Sequence, residues 1–273
     1  GIQNCFVTKL SQTGNIIIFS TYLGGKGIDA LSGLQVDNEF NVFITGNTNS
    51  LDFPTVNAFQ PTLGGKRDAF ITEINNSGSS LKFSSFFGGN EDEFGNDLVI
   101  DEGGNVFITG STQSKNIPIK NPLQSSLLGV SNAFIIKVIP NSGTLSFSTY
   151  LGGTGFDYAN CITLGKKDNI YITGGTTSID FPTVNPIQES NGGATDVFIT
   201  KINNDGSNML FSTYLGGTEV DIGNCISWSD EGSLAITGVT YSQNFPTKNP
   251  VQSELKGIVD AFIVKIQDKI NLS

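Results

Sequence analysis

Four acidic side chains stand 64 residues apart, each a few positions after a glycine pair: Asp29 after Gly24 and Gly25, Glu93 after Gly88 and Gly89, Asp157 after Gly152 and Gly153, and Asp221 after Gly216 and Gly217. Two of them complete GGxGxD, with Gly27 before Asp29 and Gly155 before Asp157, which is how the calcium-binding nonapeptide of β-roll proteins begins. Calcium takes several oxygen ligands, and a glycine-bent backbone with a carboxylate supplies them. Asp29, Glu93, Asp157 and Asp221 are therefore the candidate calcium ligands, and Glu91, Asp92, Glu93 and Asp97 form the densest acidic cluster. The β-roll motif, however, recurs in tandem, whereas here it occurs once per 64 residues. A tight crossover capped by a carboxylate explains the same pattern without an ion. The acids also suggest glycoside cleavage, which needs two carboxylates in unlike environments. Four near-equivalent copies supply no such asymmetry, so no catalytic residue is assigned and the chain is expected to be non-enzymatic.

A second set of residues points to ligand binding. Phe53, Phe181 and Phe245 each stand near a recurring asparagine, Asn57, Asn121, Asn185 or Asn249, and an aromatic ring beside amide groups suits a sugar. Tyr158 and Tyr241 are unique at their positions in the repeat and join this candidate set. The competing reading is structural: the phenylalanines fill the space between repeated units, while Thr, Asn and Gln satisfy loop backbone. Features common to all units serve what all units share, which is the fold. Trp228 stands where other units have Val36, Ile100 and Leu164, which places it in the core.

Composition removes most other chemistry. There is no histidine, hence no imidazole base, no histidine-assisted nucleophile and no histidine-bound zinc. Cys5, Cys161 and Cys225 are odd in number and lie in no CxxC, so they read as small buried residues. A net charge of -10 repels nucleic acid and anionic membranes. The apolar runs fall far short of the roughly 20 residues that a membrane helix needs.

The elements that must position these residues come from an internal repeat. Phe6, Phe70, Phe134, Phe198 and Phe262 recur every 64 residues, and so do Gly1, Gly65, Gly129, Gly193 and Gly257. The units are 1–64, 65–128, 129–192 and 193–256, followed by a partial fifth at 257–273. Each carries four runs rich in Val, Ile, Thr, Phe and Tyr, in the first unit Phe6–Leu10, Ile16–Leu23, Gly33–Asp37 and Val42–Gly46, bounded by turn residues. In the second run Ile17, Phe19, Thr21 and Leu23 alternate onto one face, the period of a strand. In the third unit Pro140 precedes the turn glycine, Gly143, which predicts a different turn there. Four antiparallel strands with two short and two long links predict an all-β fold, a single β-propeller of four-stranded antiparallel blades with both long links at one end. Function is expected on that end.

The segments DAFITEI, FSTYLGG, NVFITG, TxSxDFPT and NxxQ, in fixed order, resemble the SBBP repeat, a β-propeller repeat of bacterial extracellular proteins; the inner hairpins also resemble those of NHL propellers. The resemblance implies an extracellular or cell-surface location and no catalytic residue. Residues 257–273 duplicate 1–17, so the two termini offer the same strand twice. A single ring closed at this segment is the expected arrangement, with self-association through the terminal strands as the alternative. Together these readings describe an adhesion module for a glycan or a surface or host protein, with no cofactor other than calcium. A structural spacer and a carbohydrate-active enzyme are the rivals.

Overall fold

The computed structural model describes residues 1–267. The strand-forming runs build five antiparallel sheets. The first has two strands, β1 (Cys5–Leu10) and β2 (Ile17–Leu23). Three complete sheets follow: β3 (Asp29–Val36), β4 (Val42–Thr48), β5 (Asp68–Ile74) and β6 (Leu81–Phe87); β7 (Glu93–Ile100), β8 (Val106–Thr112), β9 (Asn132–Ile139) and β10 (Thr144–Leu151); β11 (Asp157–Leu164), β12 (Ile170–Thr176), β13 (Asp196–Ile202) and β14 (Met209–Leu215). The last holds β15 (Asp221–Ser229), β16 (Ser233–Thr240) and β17 (Asp260–Gln267). The strands β3, β7, β11 and β15 pack on one another in succession, so they are the inner strands. Each complete sheet straddles a unit boundary, taking two strands from one 64-residue unit and two from the next. The turn after Pro140 is a 3-10 turn that ends in Gly143 at φ 62°.

Every first hairpin carries a bulge on its inner strand, between Leu31 and Gly33, Gly95 and Asp97, Ala159 and Cys161, or Gly223 and Cys225. The bulge pushes a carbonyl against the partner strand, and only glycine leaves room for it. A Cβ on Gly46, Gly110, Gly174 or Gly238 would lie within 2 Å of the carbonyl oxygen of Ala30, Phe94, Tyr158 or Ile222. This steric demand accounts for the glycine of every ITG segment.

The long link from the second to the third strand folds back along the outer edge of its own sheet. Val56 bridges to Ser84, Lys120 to Ser148 and Val184 to Ser212, each in antiparallel fashion. An outermost strand otherwise presents unpaired amide and carbonyl groups. Here the link covers part of that edge.

The link also carries an aromatic plug. Phe53 is 4% exposed, with its ring centroid 4.6 Å from Phe70 and 5.8 Å from Phe86. Phe181 repeats the contact with Phe198 at 4.7 Å and Tyr214 at 6.1 Å. The Tyr214 hydroxyl accepts a hydrogen bond from Phe181 N and donates one to Ser178 O.

The ends of the array differ from the closure expected for residues 257–273. β17 pairs with β16 and β1 with β2, so neither terminal strand joins the other's sheet. One edge of β16 accepts one strand, and β17 takes it. Phe6 and Tyr22 are 67% and 82% exposed, whereas their equivalents Phe70, Phe86, Phe198 and Tyr214 are fully buried. Residues 268–273 of the closing segment lie outside the described residues.

Truncating a plug tests this packing. Phe181→Ala is expected to cost about 3–5 kcal/mol, in the range for a buried phenylalanine. Phe245→Ala is expected to cost roughly 1–2 kcal/mol, because its ring meets Phe262 at 4.7 Å and, among the described residues, meets no fourth-strand aromatic to complete the cage. Urea denaturation of the two variants checks the difference.

Candidate functional site

The structure gathers the recurring polar residues at one end of the sheets. There the chain crosses from the outer strand of one sheet to the inner strand of the next, and four consecutive amides lack a sheet partner. In the first crossover each is taken by a side chain: Gly25 N by Asp29 Oδ2 at 2.9 Å, Lys26 N by Asp52 Oδ1 at 2.8 Å, Gly27 N by Ser50 Oγ at 2.8 Å and Ile28 N by Asn49 Oδ1 at 2.7 Å. The third repeats the pattern, with Gly153 N on Asp157, Thr154 N on Asp180, Gly155 N on Ser178 and Phe156 N on Thr177. The TxSxD segment is thus the acceptor set for the glycine-rich loop.

Asp29, Glu93, Asp157 and Asp221 are each the first residue of an inner strand and fully buried. Their oxygens receive donors, except Asp221 Oδ1, which is buried without one. Thr48, Thr112 and Thr176 donate to Asp29, Glu93 and Asp157 at 2.5, 2.7 and 2.5 Å, while Ser178 and Ser242 donate to Asp157 and Asp221 at 2.9 and 2.7 Å. A calcium loop offers oxygens to its ion. This loop turns N–H groups toward the carboxylates, the opposite polarity, and among the described residues no three His, Cys, Asp or Glu side chains gather as a metal cluster.

Beside each of these acids lies the first residue of a third strand: Asn4, which precedes β1, then Asp68, Asn132 and Asp196. The alternation between acid and amide has a chemical consequence. Asn132 Nδ2 donates to Asp157 Oδ2, Gly153 O and Ser131 O, all within 3.0 Å. Asp68 occupies the same position opposite Glu93. Its Oδ2 accepts from Gln60 Nε2 at 2.7 Å and Gly64 N at 2.8 Å, while Oδ1 is buried with no donor. Asp196, opposite Asp221, likewise has an unpaired Oδ1. Burial pushes Asp68 up to about 6, with the Glu93 charge adding to it, and Asp196 up to about 6 in the same way beside Asp221. Burial also raises Glu93 and Asp157.

The ring and amide candidates have separate fates. Phe53 and Phe181 are buried plugs, so they offer no face to a sugar. Phe245 is half-buried on Phe262. Asn57, Asn121, Asn185 and Asn249 are exposed and adopt the left-handed conformation, at φ 52°, 45°, 48° and 49°. Asparagine tolerates that region better than most residues. Asn57 and Asn121 also donate to Lys82 O and Ser146 O on the covered edge. Tyr158 and Tyr241 stand on the exposed side of this end. Tyr158 is half-buried, with its ring 5.7 Å from Phe156, and burial raises its hydroxyl pKa; Tyr241 is 41% exposed.

Two features escape a reading by motif. Phe94 and Phe156 extend the aromatic rim, and the Arg67 guanidinium lies 5.1 Å from the Phe94 ring; their variation between units was the available signal. At the opposite end a cavity of about 470 Å³ is lined by Ile100, Asp101, Lys166, Trp228 and Asp230, among others. Trp228 is half-buried there and stacks on Tyr171 at 5.2 Å.

The acid pairs generate a pH prediction. A folded-state value near 6, above the usual carboxylate value near 4, means that the folded chain binds more protons between these limits. The contribution of these groups to stability is therefore greatest below about pH 4 and is lost as pH rises through 6. Asp68→Asn and Asp196→Asn are each expected to stabilise the chain at pH 7 by about 1–2 kcal/mol and to flatten this pH dependence. Thermal unfolding from pH 4 to pH 8 reads both effects.

No curated protein matches the chain significantly. Similar solved structures include a protein of unknown function from Bacteroides caccae, at 11% identity over 83% of this chain and 61% of that one, with a TM-score of 0.44. A protein of unknown function from Dyadobacter fermentans shares 8% identity over 84% of this chain and 61% of its own, with a TM-score of 0.46. An apocarotenoid oxygenase of Synechocystis shares 11% identity over 85% and 49%, with a TM-score of 0.40. The chain thus spans less than two thirds of the length of each of these. The family model of the SBBP beta-propeller repeat matches residues 18–54 and 71–118.

Proposed function

We propose that this chain is a non-enzymatic binding or adhesion module that works outside the cell and contacts a glycan or a surface protein through the long-link end of its sheets. The observation that carries the reading is the aromatic rim. Phe156 and Tyr241 are 40% and 41% exposed, and Tyr158 and Phe94 flank them at the same ends of the inner strands. Exposed rings held on rigid strands suit both a sugar face and a protein contact. Leu51 and Ile179, 85% and 83% exposed on the long links, add apolar surface at this end. The recurring acids beneath are engaged by loop amides, which favours binding over catalysis. Among the described residues no helix is long and apolar enough to cross a membrane.

The test is a glycan array and a panel of bacterial and host cell surfaces, each probed with calcium and with a chelator. Wild-type binding is expected to be indifferent to the chelator, because the Asp29-type carboxylates face N–H donors. The Phe156→Ala/Tyr241→Ala variant is expected to bind about tenfold more weakly, with its melting temperature unchanged. Silence on every surface would overturn the reading.

A second reading, a spacer or assembly unit of a larger surface protein, is favoured by the apolar face of β1 and β2. Phe6 and Tyr22 expose a face that the other sheets bury, and exposed edges invite association. Under this reading, sedimentation velocity shows concentration-dependent association of the wild type that Phe6→Asp/Tyr22→Asp abolishes.

A further inference from the structure

One position on the four inner strands is occupied in turn by Gly33, Asp97, Cys161 and Cys225, each just after the bulge. No strand ladder joins neighbouring inner strands, and side chains at this position bridge them instead. Asp97 Oδ2 accepts from Ile162 N at 3.0 Å, and Cys161 Sγ accepts from Ile226 N at 3.3 Å. The same register sets Cys161 Sγ 3.4 Å from Cys225 Sγ. Cys161 is buried and Cys225 exposed, while Cys5 belongs to a different core cluster.

We propose that Cys161 and Cys225 form an intramolecular disulfide that staples β15, and with it the three-stranded terminal sheet, to β11. The sulfurs, 3.4 Å apart, must close to about 2.05 Å. The oxidant is a small disulfide. The Cys225 thiolate attacks one of its sulfurs and expels the other as a thiolate, which leaves a mixed disulfide on Cys225. Cys161 then gives up its proton to solvent, attacks Cys225 Sγ and displaces the second thiolate. Two protein thiols are oxidised, and one small disulfide is reduced to two thiols.

The environments assign the order of attack. Cys225 is open to the reagent, whereas burial, with the Asp97 charge beside it, holds the Cys161 thiol up and makes it a poor initiator. The consequence is mechanical. Among the described residues the terminal sheet has three strands and rests on β11 and β12, and a bond across a 64-residue spacing restricts the unfolded chain strongly.

The experiment is oxidation of the folded wild-type chain with oxidised glutathione, an acid quench, alkylation after unfolding, and peptide mass mapping. The expected result is a linked pair of peptides carrying Cys161 and Cys225 with Cys5 alkylated, and a melting temperature above that of the reduced chain. Cys225→Ser is expected to show no such rise, and Cys5→Ser to link as the wild type does. A glutathione adduct that remains on Cys225 with Cys161 alkylated, or cross-links only between chains, would overturn the proposal; because the mapping uses the wild type, neither outcome depends on a variant folding.

Discussion

A sheet array of this kind must carry its chain from the outer strand of one sheet to the inner strand of the next, and the crossover has no strand to pair with. N–H groups shielded from water and left without acceptors cost free energy. Here the cost is met by side chains: in each of the crossovers that begin at Gly25 and Gly153, four consecutive amides find four side-chain acceptors. The buried acid that starts each inner strand also receives a hydroxyl from the second strand or the long link, so one carboxylate ties crossover, sheet and link together. The repeated acids, the TxS segment and the recurring Gln all follow from this constraint. Gln60 serves both sides of the crossover, with Nε2 on Asp68 and Oε1 accepting from Gly88 N.

The long link is accordingly structural in most of what it repeats. It supplies the acceptors, the phenylalanine plug and the cover of the outer edge. Under the proposed binding role, what it leaves for recognition is what differs between units, and the exposed Phe156 and Tyr241 with the half-buried Tyr158 are of that kind. This is why repetition, the strongest signal in the chain, points to the fold and away from the ligand.

Repetition also makes the molecule its own control. Asn132 shows what the position of Asp68 and Asp196 requires, a donor toward the neighbouring acid, and the two aspartates meet that requirement only when protonated. Phe70 and Phe198 likewise show the plug contact, made by Phe53 and Phe181, that Phe6 does not make among the described residues.

Strand content, the 64-residue period, the short turns and the location of both long links at one end were legible in the sequence, because alternation and turn chemistry are local properties. The glycine of ITG was visible but its reason was not, since the carbonyl it admits belongs to a bulge on the neighbouring strand. The acids after the glycine pairs were found by motif, yet their role depended on which way the loop amides point, and only the folded crossover decides that. The plug phenylalanines were recognisable as either core or platform; burial between Phe70 and Phe86, or Phe198 and Tyr214, decided for core. The interval between Cys161 and Cys225 is one repeat, which places them at equivalent positions on successive inner strands, but whether two sulfurs meet depends on how those strands pack. Sequence by itself determined the elements and their order, because a period of two and a turn residue act over a few neighbours. Tertiary structure alone decided where the sheets divide, how the termini pair and which groups face one another, because those outcomes rest on contacts between residues a whole repeat apart.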